Sequence, residues 1–185
     1  GVLGTVIFKA FDMNIGRVGL SEKDCAKLGI PYLVGLTPGP DRAHYYPTAK
    51  PMVLKMLSHA ENGSLLGVQA VGPGDVAKRV DVVATALSYG AKTQDLAELD
   101  LAYAPPYSSA VDLLAHAANV ISNKATGVAV AISPAELKAK LDAGEDFVLL
   151  DVRSPKEVAA MPFTDAHVVN IPLGMLRARL AELPR

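Results

Sequence analysis

Residues 51–76 read Pro51-Met-Val-Leu-Lys-Met-Leu57-Ser-His-Ala60-Glu-Asn-Gly63-Ser-Leu65-Leu-Gly-Val-Gln-Ala70-Val-Gly-Pro73-Gly-Asp75-Val76. Two apolar runs, Pro51–Leu57 and Leu65–Ala70, flank a polar break ending in Asn62-Gly63. Asn-Gly is the strongest short-range hairpin signal, because both residues accept φ > 0. The runs are therefore expected as antiparallel neighbours. Pro73-Gly74-Asp75 then launches a helix with Val76, Val80, Val83, Ala84 and Leu87 on one face, the spacing of an amphipathic helix. It is expected to end at Gly90. A hairpin that feeds an amphipathic helix predicts an antiparallel sheet covered by helices.

Upstream, Thr5–Phe11 and Gly16–Leu20 carry β-rich patterns, and Tyr32–Leu36 is a further strand candidate. Ser21 and Asp24 form a capping box, opening a helix that runs to Leu28 and stops at Gly29. Cys25 lies inside it and reads as a small core residue. Thr37–Pro47 holds three prolines and a glycine and is expected as a loop. It carries His44, Tyr45 and Tyr46, which either line a site or cover the sheet edge. Downstream, Thr93–Leu99 reads as a short helix capped by Thr93. Leu101–Ala110 is Leu-Ala-Tyr-Ala-Pro-Pro-Tyr-Ser-Ser-Ala, expected as a stiff extended arm because each proline fixes φ and lacks an N–H. It presents Tyr103 and Tyr107 as packing anchors or as part of a site. Ser109 and Asp112 then read as a second capping box, opening a helix with Leu113, Leu114, Ala117, Val120 and Ile121 on one side. His116 in that helix has no second ligand at metal spacing. Strands first and helices after predict an α+β fold.

A polar, small-residue boundary follows near Ser122–Thr126, and the pattern changes. Ser133-Pro-Ala-Glu136 and Ser154-Pro-Lys-Glu157 repeat one device: Ser cap, Pro at the first helical position, Glu at the third. Between them lies the apolar run Phe147–Val152. Val168–Ile171 is another short strand and Leu173–Leu183 a helix. Alternating helices and strands with short connections are the pattern of a parallel sheet. The expected division is 1–124, a linker 125–131, and a partial α/β region 132–185.

The totals exclude several classes. Net charge is −1, which offers no electrostatic case for nucleic acid or an anionic membrane. Half the residues are hydrophobic, yet no run reaches the ~18 residues of a membrane span. A single cysteine rules out an internal disulfide and a Cys-cluster metal site, and makes a reducing, cytoplasmic setting the expectation. The start, Gly-Val-Leu-Gly, lacks the charged region of a signal peptide and reads as a chain entering in mid-protein.

Gly4–Lys124 resembles the C-terminal dimerisation domain of the FAD-dependent pyridine nucleotide–disulfide oxidoreductases. The segments His44-Tyr45-Tyr46, Ala77-Lys-Arg-Val-Asp81 and Ala102-Tyr-Ala-Pro-Pro-Tyr-Ser108 resemble the coenzyme A-disulfide reductase branch. Glutathione- and lipoamide-type relatives place a His and a Glu here for acid–base work, and this sequence has no such pair. The resemblance implies a homodimer through residues 1–124, with Tyr45 and Tyr103 matching the family's interface tyrosines that approach the partner subunit's reacting sulfur. Tyr46, Tyr107, Lys78 and Arg79 are further candidates for contact with substrate, the last two through CoA phosphates. FAD, NAD(P)H and CoA are implied for a longer parent. This chain alone is expected to bind no cofactor, since it has no Gly-x-Gly-x-x-Gly fingerprint, and to be inactive by itself.

Ile132–Pro184 resembles the first half of a rhodanese-homology domain, through Leu150-Asp-Val-Arg-Ser-Pro-Lys-Glu157 and Asn170-Ile-Pro-Leu173. No Cys follows Cys25, so the catalytic cysteine loop of such domains is missing, and Asp151 and Arg153 are expected to brace a strand end. The two modules in this order imply a CoA-disulfide or CoA-persulfide/polysulfide reductase. The alternatives are a rhodanese-type sulfurtransferase module, an NADH oxidase or peroxidase relative, and a non-catalytic assembly domain.

Overall fold

The computed structural model describes residues 2–184; Gly1 and Arg185, the outer ends of the two expected regions, lie outside the described residues. The chain forms two compact units, divided after Ala131.

The first unit is built on the hairpin. β4 (Pro51–His59) and β5 (Leu65–Gly72) pair antiparallel, with Leu54 opposite Ala70 and Met56 opposite Val68. Gly63 at the turn has φ 72°, the left-handed conformation that glycine adopts without steric cost. A register shift between Leu57 and Ser58 leaves Leu66 of β5 as the extra residue, a β-bulge. β1 (Val6–Ala10), β2 (Met13–Gly19) and β3 (Tyr32–Pro40) complete an antiparallel sheet in the order β1-β2-β5-β4-β3. The β-strand predicted from Gly16 thus begins three residues earlier.

β3 runs to Pro40, through residues expected as loop. It is an edge strand paired with β4 alone. On an edge, alternate N–H groups face away from the neighbour, so Pro38 and Pro40 remove donors the ladder does not use.

α1 (Glu22–Leu28) has the Ser21–Asp24 capping box and ends on Gly29 in the left-handed region. Later helices cover one face of the sheet. α2 (Val76–Ser88) and α4 (Leu113–Ala125) lie on the sheet with α3 (Thr93–Ala97) between them in sequence. The core joins Val18, Met52, Leu54, Met56, Val68 and Ala70 to Val76, Val80, Val83, Leu96, Leu114, Ala117 and Ile121. Burying such side chains contributes roughly 1.5–3 kcal/mol each. Two glycines set the approach of the helices. A Cβ on Gly16 would stand 2.8 Å from Val80 Cγ2, and one on Gly35 would stand 2.8 Å from the Ala117 carbonyl oxygen. The other sheet face is open, with Val6, Phe8, Leu36, Val53 and Val71 exposed.

Three local expectations need correction. Thr93 is the first residue of α3 and buried, with Lys92 as the cap, and the helix stops at Ala97 rather than Leu99. Ser109 does not cap α4; Asp112 does, its carboxylate accepting from the Leu114 N–H. The Pro-Pro segment is a turn and not an extended arm: the N–H groups of Tyr107 and Ser108 both donate to the Ala104 carbonyl. The prolines sit inside it, where a missing N–H costs nothing.

In the second unit, α5 (Pro134–Asp142) and α6 (Pro155–Ala160) both start with complete capping boxes, Ser133/Glu136 and Ser154/Glu157. β6 (Leu149–Asp151) and β7 (Val168–Asn170) pair in parallel, followed by α7 (Leu173–Arg179) and a 3-10 turn over Leu180–Glu182. The buried Asp151 carboxylate takes a forked pair from Arg153, while the Asn170 side chain donates to the carbonyls of Asp151 and Arg153. Ile171 is the buried apolar centre.

Candidate functional site

The residues singled out from sequence lie around the far end of β3, and a buried polar network brings their segments together. Asp41 closes the loop that follows β3. Its N–H donates to the Lys50 carbonyl, and its carboxylate accepts the N–H groups of Lys50 (3.0 Å) and Asp75 (3.1 Å). Gly74 makes this possible, because a Cβ there would meet the Asp41 side chain at 2.8 Å. The loop 41–50 so closed carries His44, Tyr45 and Tyr46.

Arg79, one turn into α2, is 1% exposed. Its guanidinium donates to both carboxylate oxygens of Asp112 (Nη2–Oδ2 2.7 Å, Nε–Oδ1 3.3 Å), to the Asp41 carbonyl (2.6 Å) and to the Asp75 carbonyl (3.0 Å). Ser108 adds its hydroxyl to Asp112 Oδ2 at 3.1 Å. One buried cation therefore ties the loop after β3, the start of α2 and the start of α4. Burial pushes the Asp112 carboxyl up, but the bonds and charge of Arg79, with Leu114 N–H and Ser108, outweigh it and hold it below the ordinary value. Asp41 is balanced in the same way, burial opposed by Arg42 and the Lys50 and Asp75 amides, and ends below its ordinary value.

The loop then docks on the turn at 104–107. The Ala43 N–H donates to the Ser108 carbonyl (3.1 Å), and Arg42 Nη1 donates to the Pro106 carbonyl (2.9 Å). This brings Tyr45 and Tyr103 together at the rim of a cleft of about 740 Å³. One wall is β3 from Thr37 to Pro40, the other is the exposed side of α4 with His116, Asn119 and Asn123. Tyr45 is 65% and Tyr103 49% exposed. The neighbouring Tyr45 side chain, with some burial, raises the Tyr103 pKa. His44 packs edge-on against Tyr45, ring centres 5.5 Å apart.

The remaining candidates fall elsewhere. Arg79 is the buried brace with its donors spent inside the protein, so it is not available to a phosphate, contrary to the expectation. Nothing local in the sequence announces a partner 33 residues away. Lys78 is half-buried on α2, and Tyr46 half-buried in the loop. Neither they nor Tyr107 line the cleft. Tyr107 is 73% exposed, so within this chain it is not a packing anchor. The residues sequence reading missed are Asp41, Arg42, Ser108 and Asp112 as a connected set. Asp112 was noticed as a capping group, and that was the only local signal.

Cys25 is fully buried. Burial pushes its thiol pKa up, and the neighbouring Asp24 and Glu22 push it the same way, so it is not a nucleophile. Among the described residues no cluster of three potential ligands could hold a metal ion, and no helix is long and apolar enough to cross a membrane.

Comparison with known proteins fits this geometry. The chain is 40% identical over 121 residues to the NAD(P)H coenzyme A polysulfide/persulfide reductase of Pyrococcus horikoshii, covering 65% of this chain and 27% of that protein. It is 35% identical over 125 residues to the coenzyme A disulfide reductase of Staphylococcus aureus, covering 68% and 27%. Among solved structures, the NAD-dependent persulfide reductase from A. fulgidus superposes with TM-score 0.89 at 44% identity, over 100% of this chain and 32% of that one. Reduced Bacillus anthracis CoADR-RHD gives 0.90 at 37% identity, over 98% and 32%. The chain thus spans about a quarter to a third of the length of these relatives. The model of the pyridine nucleotide-disulphide oxidoreductase dimerisation domain matches residues 5–115, and the chain belongs to that family.

Proposed function

We propose that this chain is the C-terminal part of a flavin-dependent NAD(P)H:CoA-disulfide or CoA-persulfide/polysulfide reductase. In this reading it supplies the dimer interface through residues 1–124 and the tyrosines that line the partner subunit's thiol site, in a cytoplasmic enzyme. The observation that carries it is the placement of Tyr45 and Tyr103 together at the rim of an open cleft, in a chain whose relatives are named for these reactions.

In this reading FAD and NAD(P)H belong to the rest of the parent, where they supply the electrons that cleave a sulfur–sulfur bond. That cleavage expels a thiolate, and a donor aimed at the developing charge lowers the barrier. A phenol titrates near 10 and a thiol near 8.5, so full proton transfer is uphill by about 2 kcal/mol. The proximity of Tyr45 raises Tyr103 further and makes surrender of its proton less favourable still. The pair is therefore a hydrogen-bonding platform for the thiolate, each phenol a donor rather than an acid. The cleft behind it offers Asn119 and His116 to the remainder of a thiol ligand.

In the full-length parent, Tyr103→Phe is expected to lower CoA-disulfide turnover by about 10²-fold, with FAD content and dimer mass unchanged. Turnover equal to wild type would remove the reading.

The second unit we read as the N-terminal half of a rhodanese-like domain over 132–185, joined through 125–131. The parallel β6–β7 pair, the two Ser-Pro capping boxes and the Asp151–Arg153–Asn170 bracing support it. Sulfur transfer from thiosulfate to cyanide by the full-length parent, lost on removing every residue after 131, is the expected result.

A further inference from the structure

Tyr45 and Tyr103 sit on segments with no helix or strand of their own, and such segments are ordinarily mobile. Holding two exposed phenols on two such segments at one cleft rim requires something to register one segment against the other. The loop and the turn share two direct ties, the Ala43 amide on the Ser108 carbonyl and the Arg42 side chain. Arg42 makes several bonds at once, one of which reaches across to the turn. Its Nε and Nη2 take the two oxygens of the Asp41 carboxylate (3.1 and 2.9 Å), and its Nη1 donates to the Pro106 carbonyl (2.9 Å) and to Thr48 Oγ1 (3.3 Å). Asp41 is itself held by two backbone amides, so the forked pair fixes the plane of the guanidinium. Its remaining edge then points at the turn.

We propose that Arg42 is the positioning residue of the tyrosine pair, latching the loop 41–50 onto the turn 104–107 so that one chain preorganises Tyr45 against Tyr103. The latch needs a planar fork. A lysine can neutralise Asp41, but its single ammonium cannot hold a carboxylate bidentately and reach the Pro106 carbonyl together. Because all partners belong to one chain, the half-site is complete before a second subunit meets it. A displacement of about 1 Å in such a donor array is enough to cost a large factor in rate.

The consequence for turnover rests on the proposed donor role of the tyrosines; the latch itself does not. The test is therefore in two parts. In this chain labelled with 13C-tyrosine, the Tyr103 ring signal, assigned by its loss in Tyr103→Phe, is titrated in wild type, Arg42→Lys and Arg42→Gln. His44 and His116 are the other titratable side chains of the cleft besides Tyr45 and remain in place in all three. Wild-type Tyr103 is expected to titrate above the ordinary phenol value of about 10, and both variants at about 10. Arg42→Lys keeps a cation beside Asp41, so the fold is retained, as read from unchanged amide dispersion across the sheet. A Tyr103 midpoint in Arg42→Lys equal to wild type overturns the latch. In the full-length parent, Arg42→Lys is expected to lower kcat about tenfold with KM unchanged. A shifted titration with unchanged kcat supports the latch and overturns the donor role of the pair.

Discussion

At the scale of single residues, Arg79 shows how much a buried ion pair can demand. Its guanidinium and the Asp112 carboxylate are both withdrawn from water, and desolvating two charges is repaid only by good geometry and full hydrogen bonding. Here every partner is present. Removing one partner leaves the other uncompensated, so Arg79→Met should destabilise the first unit by roughly 3–5 kcal/mol in urea unfolding. The double variant Arg79→Met/Asp112→Leu should recover part of that loss, and strict additivity of the two would contradict the pairing. The pH dependence has a definite sign. The folded Asp112 carboxyl lies below its ordinary value, which is about 3.9 in an unfolded chain. Its contribution is therefore whole above about pH 4 and disappears as pH falls through the lower folded value. Asp112→Asn should start less stable and lose less between pH 4 and pH 2, measured by unfolding midpoints across that range.

At the scale of elements, the starts of α1, α5 and α6 and the hairpin were open to reading because the groups that make them are neighbours in sequence. The capping boxes of α1, α5 and α6 need only a hydroxyl, a carboxylate and three residues of spacing. Elements that depend on a neighbouring strand or segment were not. β3 continues through Pro38 and Pro40 because it is an edge, and being an edge is a property of the sheet order. The Pro-Pro segment turns because Ala104 finds two amides beyond the prolines. Gly35 and Gly63 separate these two kinds of constraint. Gly35→Ala should cost about 1–3 kcal/mol by overpacking, since the new Cβ meets the Ala117 carbonyl of α4. Gly63→Ala has open space around it and φ +72°, so its cost should be the roughly 1–2 kcal/mol of the left-handed conformation. Thermal unfolding measures both; crystal structures of the variants should show α4 displaced from β3 only in the first.

At the scale of the whole molecule, residues 125–133 are exposed and join two units that each have their own strands and helices. Limited proteolysis is expected to cut there first, leaving a first unit that unfolds at an unchanged midpoint; cleavage beginning inside β4 or β5 would contradict the division. The sequence by itself determined the class of the first unit, antiparallel strands covered by helices, because hydrophobic periodicity and turn chemistry are local. It also marked Tyr45 and Tyr103 as polar rings on loop segments. What only the tertiary structure decided is which of the polar residues stand at the cleft and which hold it together. Arg79 and Lys78 are adjacent and alike in sequence, yet one is buried against Asp112 and the other is half-exposed. Burial of a charge depends on partners brought from 33 and 38 positions away, and no local pattern encodes that meeting.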